Sequence, residues 1–209
     1  MQNRIENAMQ YLFSAPEDFD ERTERLPLLI YLHGAGGRGH DLHVVRVPYT
    51  AEKFCRDRGK RLLIAAPLCE YDSWYCCFSE LIAWVRFIAA QPYVDPDRVF
   101  IMGSSMGGYA AWTMLMCTPE LFAAGAVVCG GGMAWNCGRM KHIPIRAFHG
   151  ELDTAVLPSE NKRMVDAVNA CGGHAEMILF PGVGHNAWNP ALLETDLIDW
   201  LLAQTRYHE

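Results

Sequence analysis

Two adjacent serines stand between glycines in the stretch VFIMGSSMGGYAAW, residues 99–112. The pattern Gly-x-Ser-x-Gly is typical of a nucleophile on a sharp strand-to-helix turn, where the residues two before and two after the serine must be small. Centred on Ser105, the pattern puts Gly103 and Gly107 at those positions. Centred on Ser104, it would put methionines there. The spacing therefore predicts Ser105 as the nucleophile, and the alternative is a glycine-rich turn without catalytic chemistry.

A serine attacks a carbonyl only when a base lies beside it, and the base is expected late in the chain, because sites on such turns follow the order Ser, Asp or Glu, then His. His185, in FPGVGHNAW, is the only one of the eight histidines that follows a late predicted strand and precedes the final predicted helix. We predict that it accepts the Ser105 proton. The alternative is an exposed loop histidine.

The acid that orients this base is expected at the end of the preceding strand, in IPIRAFHGELDTAV. A turn beginning at Gly150 leaves room for the Asp153 carboxylate to reach His185. Glu151 follows the strand too closely and is expected to face solvent. An Asx turn or a helix cap is the alternative for Asp153. In the catalytic interpretation, Asp153 holds the imidazole in one tautomer and stabilises it when it is protonated.

The segment YLHGAGGRGHD, residues 31–41, carries glycines that allow backbone amides to approach a ligand. We expect the amides of Met106 and of Ala35, with Gly36 as second choice, to stabilise a tetrahedral oxyanion. A phosphate-binding loop is the competing interpretation, but the P-loop lysine and the dinucleotide-binding register are both missing. His33 is expected to brace the turn by hydrogen bonding.

These residues require a scaffold that brings strand ends together. Apolar runs that alternate with amphipathic stretches predict an α/β fold with a mostly parallel central sheet and helices on both faces. The runs predicted as parallel strands are 26–34, 61–67, 98–103, 123–131, 143–150 and 175–182. Residues 9–16 are predicted as an additional edge strand.

Apolar residues at helical spacing mark the segments between these strands. The predicted helices are 79–91, 106–118, 159–173 and 190–205. Ser79 is a candidate N-cap of the first, and Pro190 stands at the first position of the last. Without repeats, linkers or long insertions, residues 1–209 are predicted to form a single domain with no separate lid domain, and hence a fairly open site.

Composition narrows the class of protein. Half of the 209 residues (51%) are hydrophobic and 20% are charged, as in ordinary globular domains, and the net charge of −6 argues against nucleic acid or an anionic membrane as partner. No apolar run approaches the ~18 residues of a membrane-spanning helix. The first residues lack a basic stretch followed by an apolar one, so we expect a cytoplasmic protein. The oligomeric state stays open.

Cysteine spacing bears on metals and disulfides. No pair has the C-x-x-C spacing of a zinc site, so no metal is predicted. All are interpreted as reduced thiols, although a disulfide at Cys76 stays open, and Cys117 and Cys129 are expected to be small buried hydrophobes. The eight cysteines are Cys55, Cys69, Cys76, Cys77, Cys117, Cys129, Cys137 and Cys171.

From about Leu26 to Leu202 the chain resembles the α/β-hydrolase superfamily. The segments LPLLIYLHGAGGRG, VFIMGSSMGGYAAW and VGHNAW…DLIDWLL resemble its small lidless serine esterase branch, called phospholipase/carboxylesterase-like, dienelactone-hydrolase-like or "predicted peptidase". The resemblance implies a serine esterase with Ser105 as nucleophile, Asp153 as acid and His185 as base. Dienelactone hydrolases use a cysteine nucleophile, so the serine puts lactone specificity in doubt.

Aromatic residues in the loops suggest what the pocket accepts. Trp74, Trp135 and Trp188 follow predicted strands and are expected, with Gly36, to line a cleft for an aryl or sugar-linked ester; bracing of the loops is the alternative. The expected function is hydrolysis of a small-molecule carboxylic ester through an acyl-enzyme, without metal or organic cofactor. Peptidase or amidase activity on the same triad is the alternative, and a non-catalytic binding protein of this fold is a further one.

Overall fold

The central sheet carries eight strands in a computed structural model, which describes residues 1–6 and 9–207. Continuous apolar runs form most of them, since strands covered on both faces need apolar side chains on both. The strands are β1 (Gln2–Glu6), β2 (Met9–Ser14), β3 (Leu26–Leu32), β4 (Leu63–Pro67), β5 (Val94–Ser104), β6 (Ala124–Val128), β7 (Ile145–Gly150) and β8 (Ala175–Phe180).

Strand order across the sheet is β1-β2-β4-β3-β5-β6-β7-β8. The strands from β4 to β8 in this order pair in parallel, which confirms the six predicted parallel strands, whereas β2 pairs antiparallel with both β1 and β4. The prediction of an edge strand at 9–16 is therefore wrong in its placement, because β1 lies outside β2. All parallel strands end at the same edge of the sheet, where their loops can meet.

Six α-helices connect or cover these strands in the described part of the chain. Three agree closely with the predicted ones, although α2 begins at Phe78, so Ser79 lies in its first turn and does not cap it; its hydroxyl donates to Glu80 instead. The helices are α1 (Val47–Asp57), α2 (Phe78–Ala89), α3 (Met106–Cys117), α4 (Pro158–Ala170), α5 (Trp188–Leu193) and α6 (Leu197–Leu202).

The predicted helix 190–205 is two short helices, α5 and α6. Thr195 lies between them, and its hydroxyl donates to the carbonyl of Ala191 at 2.6 Å while accepting from the amide of Leu197 at 3.2 Å. A threonine side chain that takes over backbone hydrogen bonds competes with the continuing helix. The apolar periodicity continues through this break, so it could not reveal it.

Helix α1 was not predicted from the sequence. Its buried residues recur at helical spacing and Pro48 suits its first turn, but charged residues between them obscure the pattern. The buried positions are Pro48, Ala51, Phe54 and Cys55.

Two apolar layers enclose the sheet, as predicted for helices on both faces. Along β3, Leu28 and Ile30 point to the layer that holds α2, α3 and α4, whereas Leu29 and Tyr31 point to the layer of α1, α5 and α6. Alternation along a strand produces this division. No helix in residues 1–6 and 9–207 has both the length and the apolar character needed to cross a bilayer.

Candidate active site

Ser105 is the single residue between β5 and α3, and its backbone is strained, with φ 55° and ψ −119°. Such a conformation is costly for a residue other than glycine and must be enforced by its surroundings. A Cβ on Gly103 would lie 2.1 Å from the carbonyl oxygen of Gly107, and one on Gly107 would lie 2.0 Å from that of Leu32. Neither position can therefore hold a larger residue without a shift of the backbone, as the steric argument for Ser105 requires.

Three side chains from separate loops form a continuous hydrogen-bonded chain. The Nε2 atom of His185, which follows β8, lies 2.9 Å from the hydroxyl oxygen of Ser105. Its Nδ1 atom lies 2.7 Å from Oδ2 of Asp153, which follows β7. The structure thus brings the predicted nucleophile, base and acid together, with the distances that a proton transfer from Ser105 to His185 requires.

Asp153 is fixed and ionised. Its Oδ1 accepts from the backbone amides of Ala155 and Val156 at 2.9 and 3.0 Å, so the Asx turn that was the alternative coexists with the contact to His185. Burial opposes ionisation, but the hydrogen bonds from His185 and the two amides outweigh it and lower the pKa of Asp153. A buried carboxylate is thereby available to stabilise an imidazolium.

Two further titratable residues flank Asp153. Glu151 is exposed, as predicted, and accepts from the amide of Gly182 at 3.1 Å. His149 is buried, and its Nε2 lies 2.9 Å from the carbonyl oxygen of Val156 and 3.3 Å from Oδ2 of Asp153. The carbonyl can only accept, so Nε2 carries the hydrogen, and burial lowers the pKa of His149 and keeps the ring neutral. The sequence analysis missed this neighbour.

Cys129 also adjoins the three residues, beyond its predicted role as a buried hydrophobe. It follows β6 with φ 49°, and its thiol donates to the carbonyl oxygen of His185 at 3.3 Å. Cys129, Asp153 and His185 are the one group within the described residues whose potential metal-ligating atoms all lie within 4.8 Å of one another. Those atoms already bond within the protein, and burial raises the pKa of the Cys129 thiol to about 12, so the arrangement fits a neutral thiol donor better than a metal ligand.

All eight cysteines are free thiols, including the exposed Cys76. Cys117 is exposed, and the prediction that it is buried is wrong. It is the last residue of α3, and it lies on the solvent side of the chain although Met116 and Thr118 on either side are buried.

The two residues predicted as oxyanion donors each begin a helix. Ala35 is the first residue of a short 3-10 helix (Ala35–Gly37) and Met106 is the first of α3, so neither amide has an acceptor inside its helix. A Cβ on Gly34 would lie 3.3 Å from Cβ of Ser105, which shows how closely this loop approaches it. Free amides at helix starts beside a nucleophile suit a developing negative charge.

His33 braces this loop, as predicted. Its Nδ1 donates to the carbonyl oxygen of Gly34 at 2.8 Å, and its Nε2 accepts from the amide of Cys69 at 3.0 Å. Burial lowers the pKa of His33 to about 4, so the ring is neutral at neutral pH and can accept at one nitrogen while donating at the other.

A cavity of about 460 Å³ opens onto the Ser105 hydroxyl. Gly36 and Trp188 line it as predicted, and the Trp188 ring meets that of His185 edge-on at 5.8 Å between centroids. Residues that were not predicted to line the cavity form another part of its wall. They are Tyr31, Ser104 and Val44 to Val47.

Two of the predicted pocket residues lie elsewhere. Trp74 is fully buried; its indole donates to the carbonyl oxygen of His33 at 3.0 Å and its ring lies 4.9 Å from the His33 ring. It therefore braces the loop that carries Ala35 and Gly36 from the core side, as the alternative interpretation held. Trp135 is 82% exposed and does not line the cavity. The prediction that these two line the cleft is wrong, because burial behind His33 removes one and projection into solvent removes the other.

Ser104, which the glycine spacing excluded as nucleophile, has a separate partner. Its hydroxyl lies 2.6 Å from that of Tyr31, and both side chains are buried. Burial raises the pKa of Tyr31 and keeps the phenol neutral. The pair joins β5 to β3 beneath the cavity, a contact that only the pairing of these strands brings about.

Comparisons with known proteins agree with this geometry. Residues 75–136, which include Ser105, match the profile of the prolyl oligopeptidase family. Dipeptidyl-peptidase 5 of Porphyromonas gingivalis is 25% identical in an alignment of length 151 that covers 53% of this chain and 22% of that protein. The chain thus spans about a fifth of the length of this curated relative.

Solved structures of esterases superpose over nearly the whole chain. A thermostable esterase matches with a TM-score of 0.84 and 30% identity, over 95% of this chain and 60% of that one. A thermophilic esterase from the Planctomycetes species Thermogutta terrifontis matches with a TM-score of 0.74 and 16% identity, over 100% and 96% of the two chains. Together with the strained serine turn and the sheet order described above, these matches show that the chain is a member of the α/β-hydrolase superfamily.

Proposed function

We propose that this protein is a serine hydrolase that cleaves a small-molecule carboxylic ester. The observation that carries the proposal is the unbroken series of contacts from Asp153 through His185 to Ser105, ending at a cavity large enough for a small ligand. Neither a metal nor an organic cofactor takes part in the proposed reaction, because a serine, a histidine and a carboxylate supply all the proton transfers.

In the first step, the Ser105 hydroxyl attacks the ester carbonyl while His185 accepts its proton at Nε2. The amides of Ala35 and Met106 donate to the resulting oxyanion. His185 then returns the proton to the leaving alcohol as the bond from carbon to the alcohol oxygen breaks, which leaves an acyl-Ser105 ester. Asp153, ionised and held at 2.7 Å, stabilises the imidazolium throughout.

In the second step, water replaces the alcohol. His185 removes a proton from water as its oxygen attacks the acyl-serine carbonyl, and the same two amides stabilise the second oxyanion. Collapse releases the carboxylic acid and returns a proton to Ser105. The 30% exposure of the His185 side chain leaves room for water to approach it.

Amide cleavage is the second candidate, because it passes through the same tetrahedral oxyanion. The match to the prolyl oligopeptidase family and the similarity to a dipeptidyl peptidase favour it. The match to a thermostable esterase over 95% of the chain favours the ester. We place the ester first because the esterase is 30% identical over 95% of the chain, whereas the dipeptidyl peptidase is 25% identical over 53% of it and the family profile matches residues 75–136.

The test compares 4-nitrophenyl esters of increasing acyl length with the matching 4-nitroanilides. We expect ester turnover that falls by several orders of magnitude in Ser105→Ala, with Ser104→Ala as the neighbouring control, and labelling of Ser105 by a fluorophosphonate. Anilide turnover comparable to ester turnover would assign the peptidase or amidase function. If neither substrate is turned over and Ser105 is not labelled, the result would favour the further alternative, a non-catalytic binding protein of this fold.

The proposal also covers the domain organisation, the compartment and the partners of the enzyme. We propose a single domain over residues 1–209 that acts in the cytoplasm on a small-molecule ester, with neither nucleic acid nor membrane as partner. The net charge of −6 supports the exclusion of polyanionic partners.

A further inference from the structure

The cavity above Ser105 has an uneven charge distribution. No Asp, Glu or Lys is among the described residues that line it, and Arg46 is the only arginine. Its other walls are largely apolar or backbone, with Val44, Val45 and Trp188 among them. The one residue with a permanent positive charge at the border of this space is therefore Arg46.

Arg46 is also free of protein partners. Within residues 1–6 and 9–207, its side chain makes no hydrogen bond and no ion pair, and it is exposed. Arg38, in the same loop region, differs: its guanidinium donates to the carbonyl oxygens of Ala35 and Asp72 and so serves the loop itself. The Arg46 guanidinium keeps all its donors available for a ligand.

The backbone of Arg46 is well placed to hold this charge at the cavity. It immediately precedes α1, whose second residue is Pro48, and its carbonyl accepts from the amide of Tyr49 at 3.1 Å. Its neighbour Val45 is 2% exposed and anchors the segment in the core. A short link to a helix and a buried neighbour limit how far the arginine can move from the site.

We infer that the preferred substrate is an ester that also carries a carboxylate, which the Arg46 guanidinium binds. A guanidinium presents two parallel N–H donors that match the two oxygens of a carboxylate. A phosphate dianion would favour additional cations, and none lines this cavity. This inference rests on the proposed ester hydrolysis and specifies its substrate class.

Because the net charge of the protein is −6, the preference for a carboxylate can act only over a short distance from Arg46. The protein as a whole repels anions, so attraction over long distances does not favour such a substrate. The gain arises only when the carboxylate reaches the exposed guanidinium, at a distance where salt weakens the ion pair without abolishing it. Selectivity should therefore appear for bound substrate, as a lower KM for the acidic ester.

The experiment measures kcat/KM for pairs of esters that differ by one carboxylate. One pair carries the charge on the acyl side, mono-4-nitrophenyl adipate against 4-nitrophenyl hexanoate. The other carries it on the alcohol side, 4-acetoxybenzoate against methyl 4-acetoxybenzoate. For each pair, the acidic-to-neutral ratio in Arg46→Met is divided by that in the wild type, so intrinsic reactivity cancels. The pair that responds identifies the side of the ester that Arg46 faces.

We expect the acidic-to-neutral ratio of kcat/KM to be about tenfold lower in Arg46→Met than in the wild type for one of the two pairs, mainly through KM. In Arg46→Glu the same ratio should be lower still, because the introduced carboxylate repels the substrate. Arg22→Met is the matched control, since this exposed arginine precedes β3, at the opposite edge of the sheet from Ser105, and its loss should leave the ratio unchanged. High salt should reduce the acidic-to-neutral ratio of the wild type and leave that of Arg46→Met unchanged.

An unchanged ratio in both pairs, or an equal change in Arg22→Met, would overturn the inference while ester turnover itself still supported the proposed function. If no ester is turned over, the proposed function fails, and calorimetry with monomethyl adipate and methyl hexanoate on Ser105→Ala and on Ser105→Ala/Arg46→Met still tests the carboxylate site. Equal affinity of the two proteins for monomethyl adipate would then overturn it.

Discussion

The thiol of Cys129 donates a hydrogen bond to the backbone carbonyl of His185, across 3.3 Å and 56 residues of sequence. The amide of Ala187 donates to the same carbonyl at 3.0 Å, so the loop that carries the proposed base is tied both to itself and to the end of β6. Cys129 holds this position at φ 49°, which is unfavourable for its side chain.

Removing this tie should slow catalysis more than it weakens binding. We expect Cys129→Ala to lower kcat roughly tenfold with little change in KM, since a small displacement of a catalytic group is costly. Kinetics on a 4-nitrophenyl ester would measure this. Cys55→Ala, at a buried cysteine in α1, is the control for a buried deletion alone and should reduce Tm without reducing kcat. Equal kcat in both variants would contradict a positioning role for Cys129.

Neutralising the proposed acid should remove most of the activity. Asp153→Asn retains the shape of the side chain but loses the charge and presents the wrong hydrogen to Nδ1 of His185, a change that costs about 10⁴ in kcat in the serine-protease template. Glu151→Gln, two residues away and exposed, is the matched control and should retain kcat within about twofold. A comparable loss in the two variants would argue against Asp153 as the acid.

The different surroundings of Gly107 and Gly138 predict a sharp difference between their alanine substitutions. Gly107→Ala brings a Cβ to 2.0 Å from a backbone carbonyl oxygen, so it should destabilise the fold by about 3 kcal/mol or more or prevent folding. Gly138→Ala meets nothing within 4 Å and should change the free energy of unfolding by less than about 0.5 kcal/mol. Urea unfolding of both variants provides the comparison, and similar midpoints would contradict the steric account of the serine turn.

Acid should weaken the fold through His33. Its pKa is about 4 in the folded protein and near 6.5 when unfolded, so between these values the unfolded chain binds the extra proton. Stability is therefore complete above pH 6.5 and falls as the pH drops towards 4, by about 3 kcal/mol at most. His149, whose pKa burial also lowers, contributes with the same sign.

Urea midpoints at pH 7, 6 and 5 would measure this slope. His33→Gln should be less stable at pH 7, since the loop loses its brace, but should show a shallower decline towards pH 5. The exposed His142→Gln should retain the wild-type slope. A wild-type slope in His33→Gln would assign the acid sensitivity to other groups.

Much of the sheet could be predicted because strands covered on both faces need long apolar runs, and such runs survive in the sequence as a local pattern. Helix α1 and the break at Thr195 could not be predicted, because both depend on details that periodicity does not carry: which side of a charged segment meets the core, and which hydroxyl replaces a backbone bond. Strand β1 escaped for a related reason. It gains its place only by pairing with β2.

For the site, the sequence alone determined the choice of Ser105 over its neighbour and the places of Asp153 and His185, since steric limits at a tight turn and the ends of successive strands are local properties. The tertiary structure decided which side chains surround them. Trp74 braces a loop from the core side, Trp135 projects into solvent, and Arg46 lines the cavity. These outcomes depend on contacts between residues far apart in the chain, and such contacts exist only once the sheet has formed and its loops have met at one edge.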